Sequence, residues 1–332
     1  MRPLLRLLRL PLQPLHPTSS AIAAMNALLS SPPGHGNVLF GLLAALFWGG
    51  GDFSGGMSSK HAGGKIGAAL RVILLSHCTS FVVLATVAIV RGDPFPHGAP
   101  LAWGLFTGMV GGLSVACFYM ALARGEMGIA AAVSGLLAAA VPASVSLYTE
   151  GSPGTLHLLG FLIVGIAIWL IAAAPSGVLE HGEAPTTSTI LMAVVAGAGF
   201  GLYFIALKQA GVAGVAWPMA TARIGSLCTC SLLLAAMSIT KKTEAETTGR
   251  PRFGMTRSTV LWALAAALLD TCGNLFFLSA TRAGRLDIAA VLASLYPAST
   301  ILLAASILKE RFSLRQGLGM AIAGVAVVLI TL

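Results

Sequence analysis

The sequence predicts an all-α membrane protein: ten transmembrane helices arranged as two inverted five-helix repeats. Three observations carry this. Of 332 residues, 56% are hydrophobic and only 9% are charged, where an average soluble domain carries about 25% charged residues. That composition cannot cover a soluble surface, and it excludes disordered, fibrous and disulfide-scaffold classes as well. The apolar residues fall into runs of roughly 20, the length that crosses a bilayer core at a rise of about 1.5 Å per residue. Finally, the second half of the chain repeats the first.

The first 36 residues stand apart. Arg2, Arg6 and Arg9 alternate with Leu, Pro interrupts repeatedly, and no acid precedes Asp52. This is either an organellar targeting segment, which is Arg-rich and acid-poor, or a misassigned start with Met25 as the true first residue. It is set aside from the fold. From Asn37 onward the apolar runs predict helices over about 38–58, 67–90, 101–123, 128–149, 155–174, 189–208, 215–239, 259–281, 286–308 and 314–332. The breaks carry turn residues, as in Arg91-Gly-Asp-Pro, Glu150-Gly-Ser-Pro-Gly and Pro175-Ser-Gly. The longest polar stretch, Lys241 to Arg257, is still only a loop, so no soluble domain is left over. Lipid tolerates no unpaired backbone groups, so these runs are helices; strands of a barrel run about ten residues and alternate.

The repeat keeps register through three helices. At the offset that relates Gly125 to Gly284, Phe118 matches Phe277, Ile129-Ala130-Ala131 matches Ile288-Ala289-Ala290, Leu136 matches Leu295, and Gly160 matches Gly319. Earlier in each half a slightly shorter offset aligns Arg71 with Arg223, Leu75 with Leu227, and Cys78 with Cys230. Five helices per repeat is an odd number, so the second repeat enters the membrane from the opposite side. Many secondary transporters are built in this way. The two repeats span 37–175 and 189–332.

Net charge is +9, from 20 Lys and Arg against 11 Asp and Glu. The basic residues sit in short connections, which fits anchoring at lipid headgroups. There is no nucleic-acid module and no aromatic-interleaved basic patch, so nucleic acid is not an expected partner. The five cysteines all lie inside apolar runs and read as small packing residues. No Walker A, His-Glu-x-x-His, Gly-x-Ser-x-Gly or Cys-x-x-Cys pattern occurs, so neither an enzyme, a cofactor nor a metal is expected.

The segment Leu295-Tyr-Pro-Ala-Ser-Thr-Ile-Leu-Leu-Ala, then Leu308-Lys-Glu-Arg-Phe-Ser and Gln316-Gly-Leu-Gly, resembles the EamA-type module of the drug/metabolite transporter superfamily. Ala280-Thr-Arg-Ala-Gly and the first-helix stretch Trp48-Gly-Gly-Gly-Asp-Phe-Ser-Gly-Gly are similar to bacterial members. The first half departs from the pattern. Ala138 stands where Pro297 has its counterpart, Pro142 comes four residues later, and Glu150 is one residue out of register with Glu310. The resemblance implies two EamA-like modules, a transport function and both termini inside.

A few polar residues interrupt the apolar runs. Acids in mid-helix cost roughly 2.5–3.5 kcal/mol on insertion scales, and Asp52 and Asp270 lie well inside predicted helices. Asn274 follows Asp270 by one turn, on the same face. These three are candidates to line a substrate or ion cavity. Arg71 and Arg223 are candidates for an ion pair or substrate contact, against simple snorkelling to the headgroups. His77 reads as a satisfied buried histidine before a proton relay. Among Trp48, Tyr119, Tyr203 and Tyr296, Tyr296 is the strongest cavity candidate, because Pro297 beside it opens the helix. Gly51/Gly55, Gly108/Gly112 and Gly197/Gly201 are small-xxx-small pairs that permit close helix approach.

The expected function is secondary transport of a small metabolite by alternating access, coupled to protons or another cation. The competing reading is a membrane-embedded enzyme acting on a lipid-linked substrate. The expected setting is a bacterial inner membrane, with an organellar membrane as alternative, and the expected state is a monomer or homodimer. Charge and family disagree on orientation. A cytoplasmic N-terminus leaves seven basic residues inside and eleven outside, among them Lys241, Lys242 and Lys309, against the positive-inside rule.

Overall fold

The structure is a computed structural model, and it describes residues 35–62, 66–122, 127–172, 187–245, 255–307 and 313–331. Nearly all of the N-terminal extension, the side chain of Tyr119, and the Leu308–Phe312 portion of the motif lie outside the described residues. Within them the chain is helical, with no strand. The helices are α1 (His35–His61), α2 (Ile66–Arg91), α3 (Ala99–Leu122), α4 (Met127–Glu150), α5 (Thr155–Ala172), α6 (Thr187–Ala210), α7 (Ala216–Ala245), α8 (Arg257–Ala283), α9 (Leu286–Ala293), α10 (Tyr296–Ile307) and α11 (Leu314–Thr331).

The predicted ninth helix is two pieces, α9 and α10. Pro297 has no N–H to continue the helical ladder. The chain turns at Ser294 and Leu295, where short-range bonds, Leu295 N–H to the Leu292 carbonyl at 3.2 Å and Ala298 N–H to the Leu295 carbonyl at 3.0 Å, take over. Pro142 in α4 leaves its helix unbroken. Among the described residues the expectation of ten membrane-crossing helices is met in part. Seven segments are long and apolar enough: Gly36–Ser59, Ile66–Arg91, Ala99–Phe118, Ile190–Ala213, Ala216–Met237, Arg257–Ala283 and Leu286–Ile307. The apolar helices Thr155–Ile171 and Leu314–Ile330 are shorter, and at about 1.5 Å per residue they fall short of a 30 Å hydrocarbon core.

The bundle is apolar on the outside. Val82, Ile89, Val90, Leu162, Leu232 and Val325 are all exposed, a distribution that water would penalise and lipid accepts. The protein is an integral multi-pass membrane protein. Its main core runs through α1, α4, α5, α6, α8 and α9, around Phe40, Ile168, Phe204, Phe277 and Leu292.

Helix pairing obeys an exchange rule. α1 packs on α8 as α6 packs on α3, and α1 packs on α9 and α10 as α6 packs on α4; α2 pairs with α7, and α5 with α11. The same exchange holds atom by atom. A Cβ on Gly160 would come within 2.5 Å of Ile330, and one on Gly319 within 2.8 Å of Ile171. The sequence repeat relates Gly160 to Gly319 and Ile171 to Ile330.

Glycines set the closest approaches. A Cβ on Gly108 would collide with the Ala222 carbonyl and sit 2.7 Å from the Ser226 nitrogen, so α3 and α7 meet backbone to backbone. One end of the bundle is tied by polar contacts between the halves. Lys208 at the end of α6 pairs with Glu150 at the end of α4 at 2.6 Å. Arg285 donates to the Glu150 and Gly151 carbonyls at 3.2 and 2.6 Å and to the buried Asp287 carboxylate at 2.7 Å. Hydrogen bonding to Asp287 holds the Arg285 guanidinium above its ordinary range.

Candidate functional site

A cavity lies between the two halves of the bundle, walled mostly by apolar side chains with a few polar groups among them, the make-up of a small-molecule site. α1 contributes Trp48 and Asp52, one turn apart on one face. α2 contributes His77, α3 the Gly108–Phe118 face, α6 Phe200, Tyr203 and Phe204, α7 Arg223 and Ser226, α8 Asp270 and Asn274, and α10 Tyr296.

Its centre is an ion pair. The Arg223 guanidinium donates through Nη2 to Asp270 Oδ2. Its Nε donates to Ser80 Oγ at 2.9 Å and its Nη1 to His77 Nε2 at 3.3 Å. Each guanidinium nitrogen therefore has a partner. Arginine only donates, so His77 Nε2 accepts, the imidazole is neutral, and its proton sits on Nδ1. Nδ1 in turn donates to Ser226 Oγ at 2.8 Å. Ser80 passes the network to Thr271 at 2.6 Å, and Thr271 ends it on the Ala267 carbonyl at 2.6 Å. Arg223 is 6% exposed and Asp270 is 32% exposed at the side chain. The arginine is thus buried behind the carboxylate, and the carboxylate faces the cavity.

A second chain leads through Tyr203. Its hydroxyl donates to Asn274 Oδ1, and Asn274 Nδ2 donates to the Asp270 carbonyl at 2.7 Å, fixing the amide. The Tyr296 hydroxyl shares a hydrogen bond with the buried Ser134 on α4. Asp52 differs from all of these. It lines the cavity, its open surface faces that space, and it has no hydrogen bond or ion pair among the described residues.

Aromatic rings form much of the wall. Trp48 stacks on Phe204 with centroids 5.2 Å apart and planes 4° apart, and Phe204 packs on Phe277 at 4.6 Å. Trp48 fits because position 273 is glycine: a Cβ there would lie 2.5 Å from the indole. Gly51 likewise lets α1 rest on Asp270, whose backbone nitrogen lies 3.3 Å from where a Cβ would be.

Five of the six sequence candidates, Asp52, Asp270, Asn274, Tyr296 and Arg223, line this cavity. Arg71 does not; it is exposed near the start of α2. The repeat explains the difference. Arg71 matches Arg223, but the repeat position of Asp270 is Gly111. The first half thus offers no acid at the place where Arg223 finds one, and Gly111 instead receives the Tyr203 ring, within 2.8 Å of a built Cβ. Sequence reasoning missed Ser80 and Ser226. Serines inside apolar helices usually bond back to their own turn, so neither carries a signal of its own.

Residues 187–332 match the family model described as "EamA-like transporter family". That is the half that carries the Leu295-Tyr-Pro motif, and the resemblance read from the sequence holds there. No curated protein matches the chain. Among solved structures, one titled only "Crystal structure of protein" shares the fold, with a TM-score of 0.66 at 17% identity, over 88% of this chain and 95% of that one.

Proposed function

We propose that this protein, whose residues 187–332 carry an EamA-like transporter module, is a secondary transporter that moves a small metabolite by alternating access. The observation that carries the reading is the polar, aromatic-walled cavity at the middle of the bundle, lined from both halves. The finer architecture we propose is two inverted five-helix modules, 37–175 and 189–332, supported by the exchange of helix pairs and by the Gly160–Ile330 and Gly319–Ile171 contacts. The polar contacts of Lys208, Glu150 and Arg285 close one end. Transport requires that end to open while the other seals.

Coupling is proposed to run through Asp270. Protonating it removes the charge that holds Arg223, which loosens the contact among α2, α7 and α8. The polar groups gather in mid-bundle rather than at a membrane face, which favours a transporter over an enzyme acting on lipid. Similarity of the first helix to bacterial members favours a bacterial inner membrane.

Uptake into proteoliposomes over a panel of amines, amino acids, sugars and nucleosides, with and without an imposed pH gradient, tests the reading. Saturable uptake of one class is expected. In Asp270→Asn, exchange persists while pH-driven accumulation is lost. No uptake of any class by folded protein overturns the transporter reading, and normal pH-driven accumulation in the Asn variant overturns the coupling.

A further inference from the structure

We propose that the cavity takes an organic cation, a protonated amine on an aromatic or aliphatic body, seated against Asp52. This rests on the transporter reading and names its substrate class. The cavity carries two carboxylates, Asp52 and Asp270, one guanidinium, Arg223, and a neutral imidazole, His77. Asp270, Ser80 and His77 hold three of the five N–H donors of Arg223, and the side chain is 6% exposed, so the guanidinium stands behind Asp270 rather than open to a ligand. What remains is the Asp52 carboxyl group, which has no hydrogen bond or ion pair among the described residues. An uncompensated carboxylate in a low-dielectric site is costly and calls for a cation.

The surroundings choose among cations. Hard metal ions require about six or more oxygen ligands, and no group of three His, Cys, Asp or Glu that suits a metal occurs among the described residues. Asp52 shares its cavity with the rings of Trp48, Phe118, Phe200, Tyr203, Phe204 and Tyr296. Aromatic faces attract ammonium groups, and they bury an apolar body. An anion finds the one guanidinium buried behind the Asp270 carboxylate. A sugar finds few unengaged polar groups, since His77 bonds Ser226, Tyr203 donates to Asn274, and Asn274 donates to the Asp270 carbonyl.

Calorimetric binding to the purified full chain in detergent tests this with three probes of one shape: phenethylamine, 2-phenylethanol and phenylacetate. Phenethylamine is expected to bind at least about tenfold more tightly than the alcohol, with phenylacetate weakest. Asp52→Asn should remove that preference while leaving the unfolding temperature near the parent's, and Asp52→Glu should retain it. Equal binding of amine and alcohol, preference for phenylacetate, no binding of phenethylamine at millimolar concentration, or an Asn variant that keeps the preference each overturns the proposal. Amine binding without uptake of any compound overturns the transporter reading alone; uptake of a sugar or nucleoside without amine binding overturns the cation site alone.

Discussion

Removing either partner of the Arg223–Asp270 pair should destabilise the protein unequally. Deleting one member of a buried pair costs about 3–5 kcal/mol when the other stays charged and unhydrated. The two partners differ on both counts. Arg223 is 6% exposed and its guanidinium cannot shed its proton, whereas Asp270 is 32% exposed toward the cavity and can be protonated or hydrated there. Asp270→Ala leaves a charge supported only by the neutral Ser80 and His77, and should cost about 3 kcal/mol. Arg223→Met leaves an apolar side chain of similar length and a carboxylate with access to water, and should cost about 1–2 kcal/mol. The double variant removes both charges and should be more stable than the sum of the single losses predicts, by about 2 kcal/mol. Unfolding midpoints in mixed micelles of rising SDS content report all four species on one scale. A larger loss for Arg223→Met than for Asp270→Ala, or strict additivity, refutes the reasoning.

Three further outcomes follow from the same contacts. Gly108→Ala forces a Cβ onto the Ala222 carbonyl and should cost about 2–4 kcal/mol or abolish folding, while Gly56→Ala, with nothing near its Cβ, should leave detergent unfolding within about 0.5 kcal/mol of the parent. Arg285→Ala strips the fully buried Asp287 of its guanidinium partner and should cost about 3 kcal/mol, against less than about 1 kcal/mol for Lys208→Ala in the more open pair with Glu150; a reversed order in the same assay counts against the structure of that end. Arg223→Lys cannot keep three separately directed donors on Asp270, Ser80 and His77 and should lower uptake, whereas Arg71→Lys should leave it unchanged; silent substitutions at both sites would remove Arg223 from the cavity's machinery.

Most of the fold was legible because lipid simplifies the code. Runs of about 20 apolar residues leave little choice but helices, and the predicted boundaries of the first eight fall within a few residues of the observed ones. The ninth broke where Pro297 sits, and the proline was visible. What the apolar runs did not show is that the described apolar parts of α5 and α11 are shorter than the other spans. The mid-helix acids were conspicuous for a single reason, the cost of carrying charge in lipid. Serines carry no such cost, so Ser80 and Ser226 stayed silent, and only the packing of α2 against α7 and α8 brings them to Arg223 and His77.

Arg71 shows why a repeat in sequence is not a repeat in function. Duplicate helices inherit their packing faces, as Gly160 and Gly319 do, because apolar contact tolerates many side chains of similar size. A buried charge tolerates no such drift. It persists inside the bundle only where the partner also persists, and the partner lies on a different helix. Between the two halves the arginine was kept on α2 and α7, but the acid stands only on α8; its counterpart on α3 is Gly111, which receives Tyr203 instead. Arg223 is therefore buried at the cavity, while Arg71 is exposed near the start of α2. The sequence repeat thus keeps a charge pair at one of two equivalent positions and replaces it by Gly111 and the Tyr203 ring at the other.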